Sequence, residues 1–309
     1  MRDIKVSVAM TTYNHEKYIA QAIDGVLMQK TNFPIELIIG DDFSTDNTLK
    51  ICLDYQKKFP DIIRVILAKK NEGLRENNFK VWTNCFGQYI AYCEGDDFWI
   101  DDNKLQKQID FLDLNKQFSG AFHQVKMFYD DRKYNFFTPL NQKKTLNFEE
   151  NIERWVVATC GLVFRNIFKN IEICKYGNIL LSDRVFWSDR PLMAFLTKIG
   201  DFYYFPDVMG CWRQHDTNMT KIGNLAEMSA YGGMSYAKMI DYFPENKIKL
   251  SEQVIRWYLI AYFYSFKNKN FKNMFRYNWL SFKNIKSLLG LKNYIKCTSL
   301  VLIGREIYT

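Results

Sequence analysis

Three carboxylates fall within four residues at Glu94-Gly95-Asp96-Asp97, and the tetrapeptide Gly-Asp-Asp-Phe at 95–98 has an earlier copy at 40–43. Left uncompensated, such carboxylates repel one another. A hard divalent cation relieves the repulsion, because Mg²⁺ or Mn²⁺ takes oxygen ligands and bridges carboxylates to phosphates. The plainer alternative is an acidic turn ahead of a helix. Other phosphate-holding devices are missing: no GxGxxG follows the first apolar run, and no GxxxxGK[ST] occurs. Their absence argues against a dinucleotide oxidoreductase and a P-loop ATPase. Three histidines (15, 123, 215) and seven cysteines without a CxxC make a zinc cluster improbable. An odd number of unspaced cysteines reads as free thiols in a reducing compartment.

The elements that must carry these residues alternate along the first 110 positions. Val6–Met10, Ile35–Ile39, Ile62–Leu67 and Tyr89–Cys93 read as strands. His15–Gln29 has helical spacing with Asn14 as a plausible N-cap, and a second helix runs from Thr45 or Asp46 to Tyr55. Asn77–Asn84 is weakly helical, and Asn103–Leu114 is a helix that Asp102 would cap. Alternation of this kind predicts a mostly parallel α/β sheet flanked by helices, whose ligands bind at the carboxyl ends of the strands. Both acidic tetrapeptides fall at such ends. Beyond Leu114 the rhythm breaks. Phe118–Tyr129 reads as strand, Asp130–Asn147 as a polar loop, and Val156–Phe164 as an apolar run. Arg190–Ile199 reads as a helix, and the chain from Asn224 as mainly helical, with Lys267–Asn270 turning a helical hairpin.

Four blocks, VSVAMTTYNHEKYIAQAIDGVLMQ, IELIIGDDFSTDNT, NEGLRENN and YIAYCEGDDFW, resemble the family-2 glycosyltransferases in order and spacing. A later stretch, WSDRPLMAFLTKIGDFYYFPDVMGCWRQHDTNMT, is similar to that family's segment of acidic pair, helix and Trp-Arg-x-His. The resemblance implies the A-type glycosyltransferase fold (Rossmann-like) and an inverting, metal-dependent transfer from a nucleotide-sugar, with a UDP-sugar as donor. It implies that Thr11 and Tyr13 seat the base, that Asp42 accepts the imide N–H of uracil, and that Arg75 lies near base or diphosphate. Thr11 and Tyr13 could instead form an ordinary strand-to-helix turn, and Arg75 could as well be a solvated surface cation. In the acidic motif, Asp97 matches a metal ligand, Asp96 the carboxylate bridging ribose and metal, and Glu94 the outer position of DxD. Asp189 matches the general base, with Asp183 as its rival. Arg213 and His215 match residues near diphosphate and metal. Trp187 and Trp212 could stack on sugar faces or pack in the core. Two positions depart from the family pattern: Glu94 replaces Asp, and Ser188 replaces the acidic neighbour of Asp189. They leave two other readings open, a non-catalytic glycan- or membrane-binding protein with a degenerate site, and a sugar nucleotidyltransferase. The latter would carry a glycine-rich basic loop that TTYNHEKY lacks.

The charge is lopsided. From Glu245 to Thr309 twelve Lys and Arg stand against three Asp and Glu, a net +9, while the 244 residues before carry −1. A body near neutrality does not fit a nucleic-acid binder. The basic residues interleave with aromatics such as Phe271, Phe275, Trp279 and Phe282. That pattern suits an anionic membrane surface presenting a lipid-linked acceptor, or a plain helical subdomain with a solvated lysine face. The expected organisation is a nucleotide-sugar half (1–115), an acceptor half (116–222) and a basic helical region (223–309). The expected acceptor is a bacterial surface glycan such as lipooligosaccharide, capsule or O-antigen. The N-terminal apolar run ends after five residues without a cleavage site, and no run of 18 apolar residues occurs. A cytoplasmic protein, peripheral at the inner membrane, is expected.

Overall fold

The computed structural model describes residues 3–129, 134–169, 188–216, 218, 224–286, 290–292, 294, 295 and 298. The chain divides into two units, Met1–Gly177 with Met193–His215, and Asn178–Leu192 with Asp216–Thr309.

The first unit is organised by one sheet. Strands β1 (Val6–Thr12), β2 (Ile35–Asp41), β3 (Ile63–Leu67) and β4 (Tyr89–Tyr92) run parallel in the order β3-β2-β1-β4. Every residue of β1 is buried, as a strand covered on both faces requires. Val6, Val8 and Met10 join Leu37, Ile39 and Ala91 in a core closed by α1 (Ile19–Leu27), α2 (Thr48–Lys58) and α4 (Lys104–Leu114). The alternate face meets α3 (Leu74–Thr83), whose Asn77 donates to the Gly40 carbonyl at 2.8 Å. Past β4 the sheet becomes mixed. The short strand β5 (Phe98–Trp99) pairs antiparallel with β10 (Phe202–Gln214), which runs parallel to β6 (Gly120–Tyr129). The strand β9 (Val163–Arg165) lies antiparallel between β4 and β6.

Three local expectations fail, each for a visible reason. The first helix begins at Ile19, not His15, and Asn14 is no cap: its φ is 56° and its side chain accepts from the Thr45 amide at 2.8 Å. The amides of Asn14, His15 and Glu16 donate to Ser44, Thr48 and Asp46, so this turn is laced to the loop after β2. Asp46 Oδ1 in turn accepts from the Thr48 amide at the start of α2. Asp102 does not cap α4 either; Asp101 accepts from the Asn103 amide, and Asp102 pairs with Lys30 at 2.6 Å. The stretch expected as a loop at 130–147 contains β7 (Tyr134–Phe136) on β6 and β8 (Thr145–Leu146) on β10. The helix α5 (Phe148–Glu153) follows, capped by the Asn147 side chain at the Glu150 amide.

The second unit contains α7 (Leu225–Met239), α8 (Lys247–Lys267) and α9 (Phe271–Lys283), while α6 (Asp189–Ile199) contributes its first four residues. The expected hairpin turn is present: Lys269 takes a φ of 55°, and Asn270 caps α9 at the Asn273 amide. Gly232 lets α7 approach α8 closely, since a Cβ there would stand 2.7 Å from the Trp257 ring. Cys52, Cys85, Cys93, Cys160 and Cys211 are buried free thiols; Cys174 and Cys297 lie outside the described residues.

Lys104, at the start of α4, is fully buried. Its ammonium donates to Gln108 Oε1 at 2.8 Å and sits 4.0 Å from the Trp99 ring centroid. Burial pulls its pKa down to about 7, against the smaller opposing pull of Cys93, Cys160 and Asp101. Between pH 7 and the ordinary lysine range near ~10.4, the unfolded chain therefore holds a proton that the folded chain has lost. Stability should rise with pH across that window, by up to about 1.4 kcal/mol per pH unit. Urea unfolding of Lys104→Met should show that rise abolished and stability higher than wild type at pH 7. Parallel pH profiles for the two proteins would refute it.

Candidate active site

The carboxyl ends of β1 and β4, together with the end of β10, build one polar centre. The turn after β4 is held by the main chain: the Cys93 amide donates to Ala9 O, Gly95 to Thr11 O, and Asp97 to Glu94 O. Position 95 favours glycine, because a Cβ would lie 2.7 Å from Thr12 Oγ1 and 2.9 Å from Ile19 Cδ1 and would have to displace them. This close approach brings the three carboxylates to the rim of the sheet.

The carboxylates then part company. Asp97 turns inward, is 3% exposed, and accepts the Arg213 backbone amide at 2.9 Å. Burial, with the charges of Asp96 and Glu94, pushes its pKa well above the ordinary range. Asp96 turns toward two imidazoles. Its Oδ2 lies 3.2 Å from His215 Nε2 and 3.7 Å from His15 Nε2. Burial would raise its pKa, but the charge of His15 and the hydrogen bond to His215 outweigh burial and hold it below the usual carboxylate value. Glu94 accepts the Thr159 hydroxyl. The repulsion expected from the sequence is thus divided: Asp97 favours its proton, and Asp96 keeps its charge beside the histidines.

Arg213 braces this arrangement. Its Nε donates to the Asp96 carbonyl at 3.0 Å and its Nη2 to Gln21 Oε1 at 2.5 Å. The guanidinium lies 4.9 Å from the Tyr18 ring and 4.8 Å from the Phe98 ring. His15, Tyr18 and Gln21 received no site role from the sequence. All three reach the centre: Thr12 Oγ1 lies 3.2 Å from His15 Nδ1, and the Tyr18 ring lies 4.7 Å from that of His215. Their spacing of three residues is a signal that one face of a turn addresses the site.

The remaining residues named from the sequence are placed as follows. Thr11 is buried, its hydroxyl 3.2 Å from that of Tyr92, whereas the Tyr13 side chain is 42% exposed. Asp42 accepts from the amides of Glu72 and Gly73 at 2.7 and 2.8 Å, which fixes the loop ahead of α3. Arg75 pairs with Glu76. Trp212 packs edge-on against Phe137 at 5.2 Å. Asp189 opens α6 in the second unit and accepts the Arg190 amide at 2.8 Å. Burial raises its pKa, against the opposing charge of Arg190. Asp183 and Trp187 lie outside the described residues.

Among the described residues no group of three His, Cys, Asp or Glu side chains is arranged to hold a metal ion by itself. A carboxylate with two imidazoles within 3.7 Å nevertheless offers O and N donors that suit Mn²⁺, if further oxygens come from a substrate.

Residues 7–172 match the family described as Glycosyl transferase family 2. An uncharacterised protein of Mycobacterium tuberculosis, Rv1520, is 38% identical over 161 residues, which is 52% of this chain and 46% of that protein. The putative glycosyltransferase EpsE of Bacillus subtilis is 37% identical over 115 residues, covering 37% of this chain and 40% of its own. The dTDP-rhamnosyl transferase RfbG of Shigella flexneri is 34% identical over 128 residues, covering 40% and 44%. The chain thus spans less than half the length of each of these relatives. Among solved structures, S. aureus TarS 1-349 in complex with UDP-GlcNAc superposes with a TM-score of 0.63, covering 99% of this chain and 93% of that 1-349 chain at 14% identity. The mannosyltransferase PcManGT of Pyrobaculum calidifontis, in complex with GDP-Man and Mn²⁺, superposes with a TM-score of 0.59, covering 98% and 84% at 14% identity. At such identities the likeness is one of fold, and it is the A-type fold expected from the sequence.

The geometry at Gly95 generates a test. Gly95→Ala must push aside Thr12 and Ile19, at a cost of about 1–3 kcal/mol, read as a lowered urea midpoint. An unchanged midpoint would mean that the turn does not depend on this contact.

Proposed function

The chain belongs to glycosyl transferase family 2, and from that premise we propose that it is an inverting, divalent-metal-dependent glycosyltransferase using a nucleotide-sugar, with a UDP-sugar as donor. The observation that carries the reading is Asp96, a carboxylate held ionised beside His15 and His215 at the carboxyl end of a parallel sheet. Asp96 and His215 would hold Mn²⁺ or Mg²⁺, which neutralises charge on the departing diphosphate. Asp97 and Glu94 support the turn from inside. Tyr13 has the exposure needed to stack on the base, and Asp42, an acceptor at the end of β2, suits the imide N–H of uracil. Arg75, at the start of α3, and Thr11, at the end of β1, would line the base and diphosphate.

Asp189 takes the proton of the acceptor hydroxyl as that oxygen attacks the anomeric carbon and the bond to the diphosphate breaks. Its raised proton affinity supports this role, since a general base works best near the operating pH. The acceptor is a bacterial surface glycan. Support comes from the similarity to a dTDP-rhamnosyl transferase and to a putative teichuronic acid biosynthesis glycosyltransferase.

Contact with an anionic membrane through residues 245–309 completes the reading. Phe271, Phe275, Trp279 and Phe282 follow one face of α9, and each is more than half exposed. Lys272 and Lys283 are exposed beside them. A basic, aromatic face of this kind inserts rings at the acyl boundary while lysines meet anionic headgroups. No helix among the described residues is long and apolar enough to cross a membrane.

Three outcomes are expected. With Mn²⁺, Asp96→Asn should lower UDP-sugar hydrolysis by about 10²-fold or more; near-wild-type hydrolysis would defeat the metal assignment. Asp189→Asn should lower transfer by about 10²–10⁴-fold while UDP binding, measured by calorimetry, is retained; full turnover would remove it as base. Phe275→Ser with Trp279→Ser should abolish sedimentation with phosphatidylglycerol vesicles; equal sedimentation would exclude α9 as the membrane face.

A further inference from the structure

The second unit holds a cavity of about 660 Å³ between α7, α8 and α9. That volume lies in the range of small-molecule sites. Its lining is systematic. Glu227 and Tyr231 of α7 face Asn273, Arg276 and Tyr277 of α9, all at helical spacing, and Tyr258 of α8 completes it. Tyr258 and Tyr277 are 5% exposed, with rings near parallel at 6.3 Å and 18°. Glu227 and Arg276 are exposed at the rim. The remaining charges cancel, since Lys238 pairs with Asp241 at 3.1 Å.

This chemistry selects among ligands. A phosphate or uronate would want net positive charge, and the cavity carries Glu227 against Arg276 and Asp241 against Lys238. A purely apolar ligand would desolvate those rim groups and the phenols without replacing their hydrogen bonds. A saccharide matches both parts: its C–H faces lie against the partly exposed Tyr231, Met234 and Leu280, and its hydroxyls both donate to carboxylate and accept from guanidinium and amide. We infer that the cavity between α7, α8 and α9 is a binding site for neutral oligosaccharide, separate from the catalytic centre. Its cavity face and the exposed aromatic face are different sides of the same helix, α9. Only the source of the ligand, a glycan acceptor, rests on the transferase reading; the binding itself does not.

The test uses the full chain on a printed array of neutral and acidic oligosaccharides, from disaccharides to hexasaccharides, without nucleotide. Neutral members should bind. Arg276→Ala and, independently, Asn273→Ala should weaken that binding by roughly tenfold or more, with unchanged melting temperature and unchanged UDP-sugar hydrolysis. Asp96→Asn should lose hydrolysis yet bind the array as wild type does, so failure of the transferase reading and failure of this one are distinguishable. Absence of neutral binding, preference for acidic members, indifference to both cavity variants, or loss of binding in Asp96→Asn would each overturn the proposal.

Discussion

The Asp97 carboxylate accepting the Arg213 amide is the contact on which the rest of the centre depends. It ties the turn after β4 to β10, strands separated by more than a hundred residues of sequence. With that end fixed, the Arg213 side chain reaches back to the Asp96 carbonyl and to Gln21. His215, two residues further, then stands beside Asp96. Buried acceptors and donors of this kind are costly to leave unmade, so the turn and the end of β10 stabilise one another.

The neighbours of each carboxylate explain how the two coexist. Burial disfavours the charged form of both, and the neighbours decide the outcome. Asp97 has Asp96 and Glu94 for neighbours and is pushed up; Asp96 has His15 and His215 and is held down. One ionised carboxylate, presented with two imidazoles, is a more selective surface than three equivalent acids. A cluster that reads as a uniform acidic patch in the sequence is therefore a polarised pair with a buried support.

The parallel half of the fold was legible because strand and helix alternate there with clear periodicity. The carboxyl-end placement of both Gly-Asp-Asp-Phe copies followed from that pattern. The start of α1 was not legible, since the amides of Asn14, His15 and Glu16 bond to a loop thirty residues away. Nor was β10, whose partners β6 and β5 lie far off in sequence and whose register shifts between Phe205 and Gly210. Arg213 and His215 stood out in the sequence as candidates, yet the bracing position of the guanidinium depends on Gln21 and Tyr18, which only the fold brings near. In the basic tail the composition was plain, but not which rings face out: Tyr277 is buried while Phe275 and Trp279 are exposed on the same helix.

On the function proposed above, the carboxylate presented to metal and donor is Asp96 rather than Asp97. Anomalous scattering at the manganese edge, from crystals grown with UDP and Mn²⁺, tests it directly. A single peak within bonding distance of an Asp96 oxygen and of His215 is expected, with Asp97 still accepting the Arg213 amide. A peak on Asp97 or Glu94 without Asp96, or no peak at saturating Mn²⁺ and UDP, would contradict it.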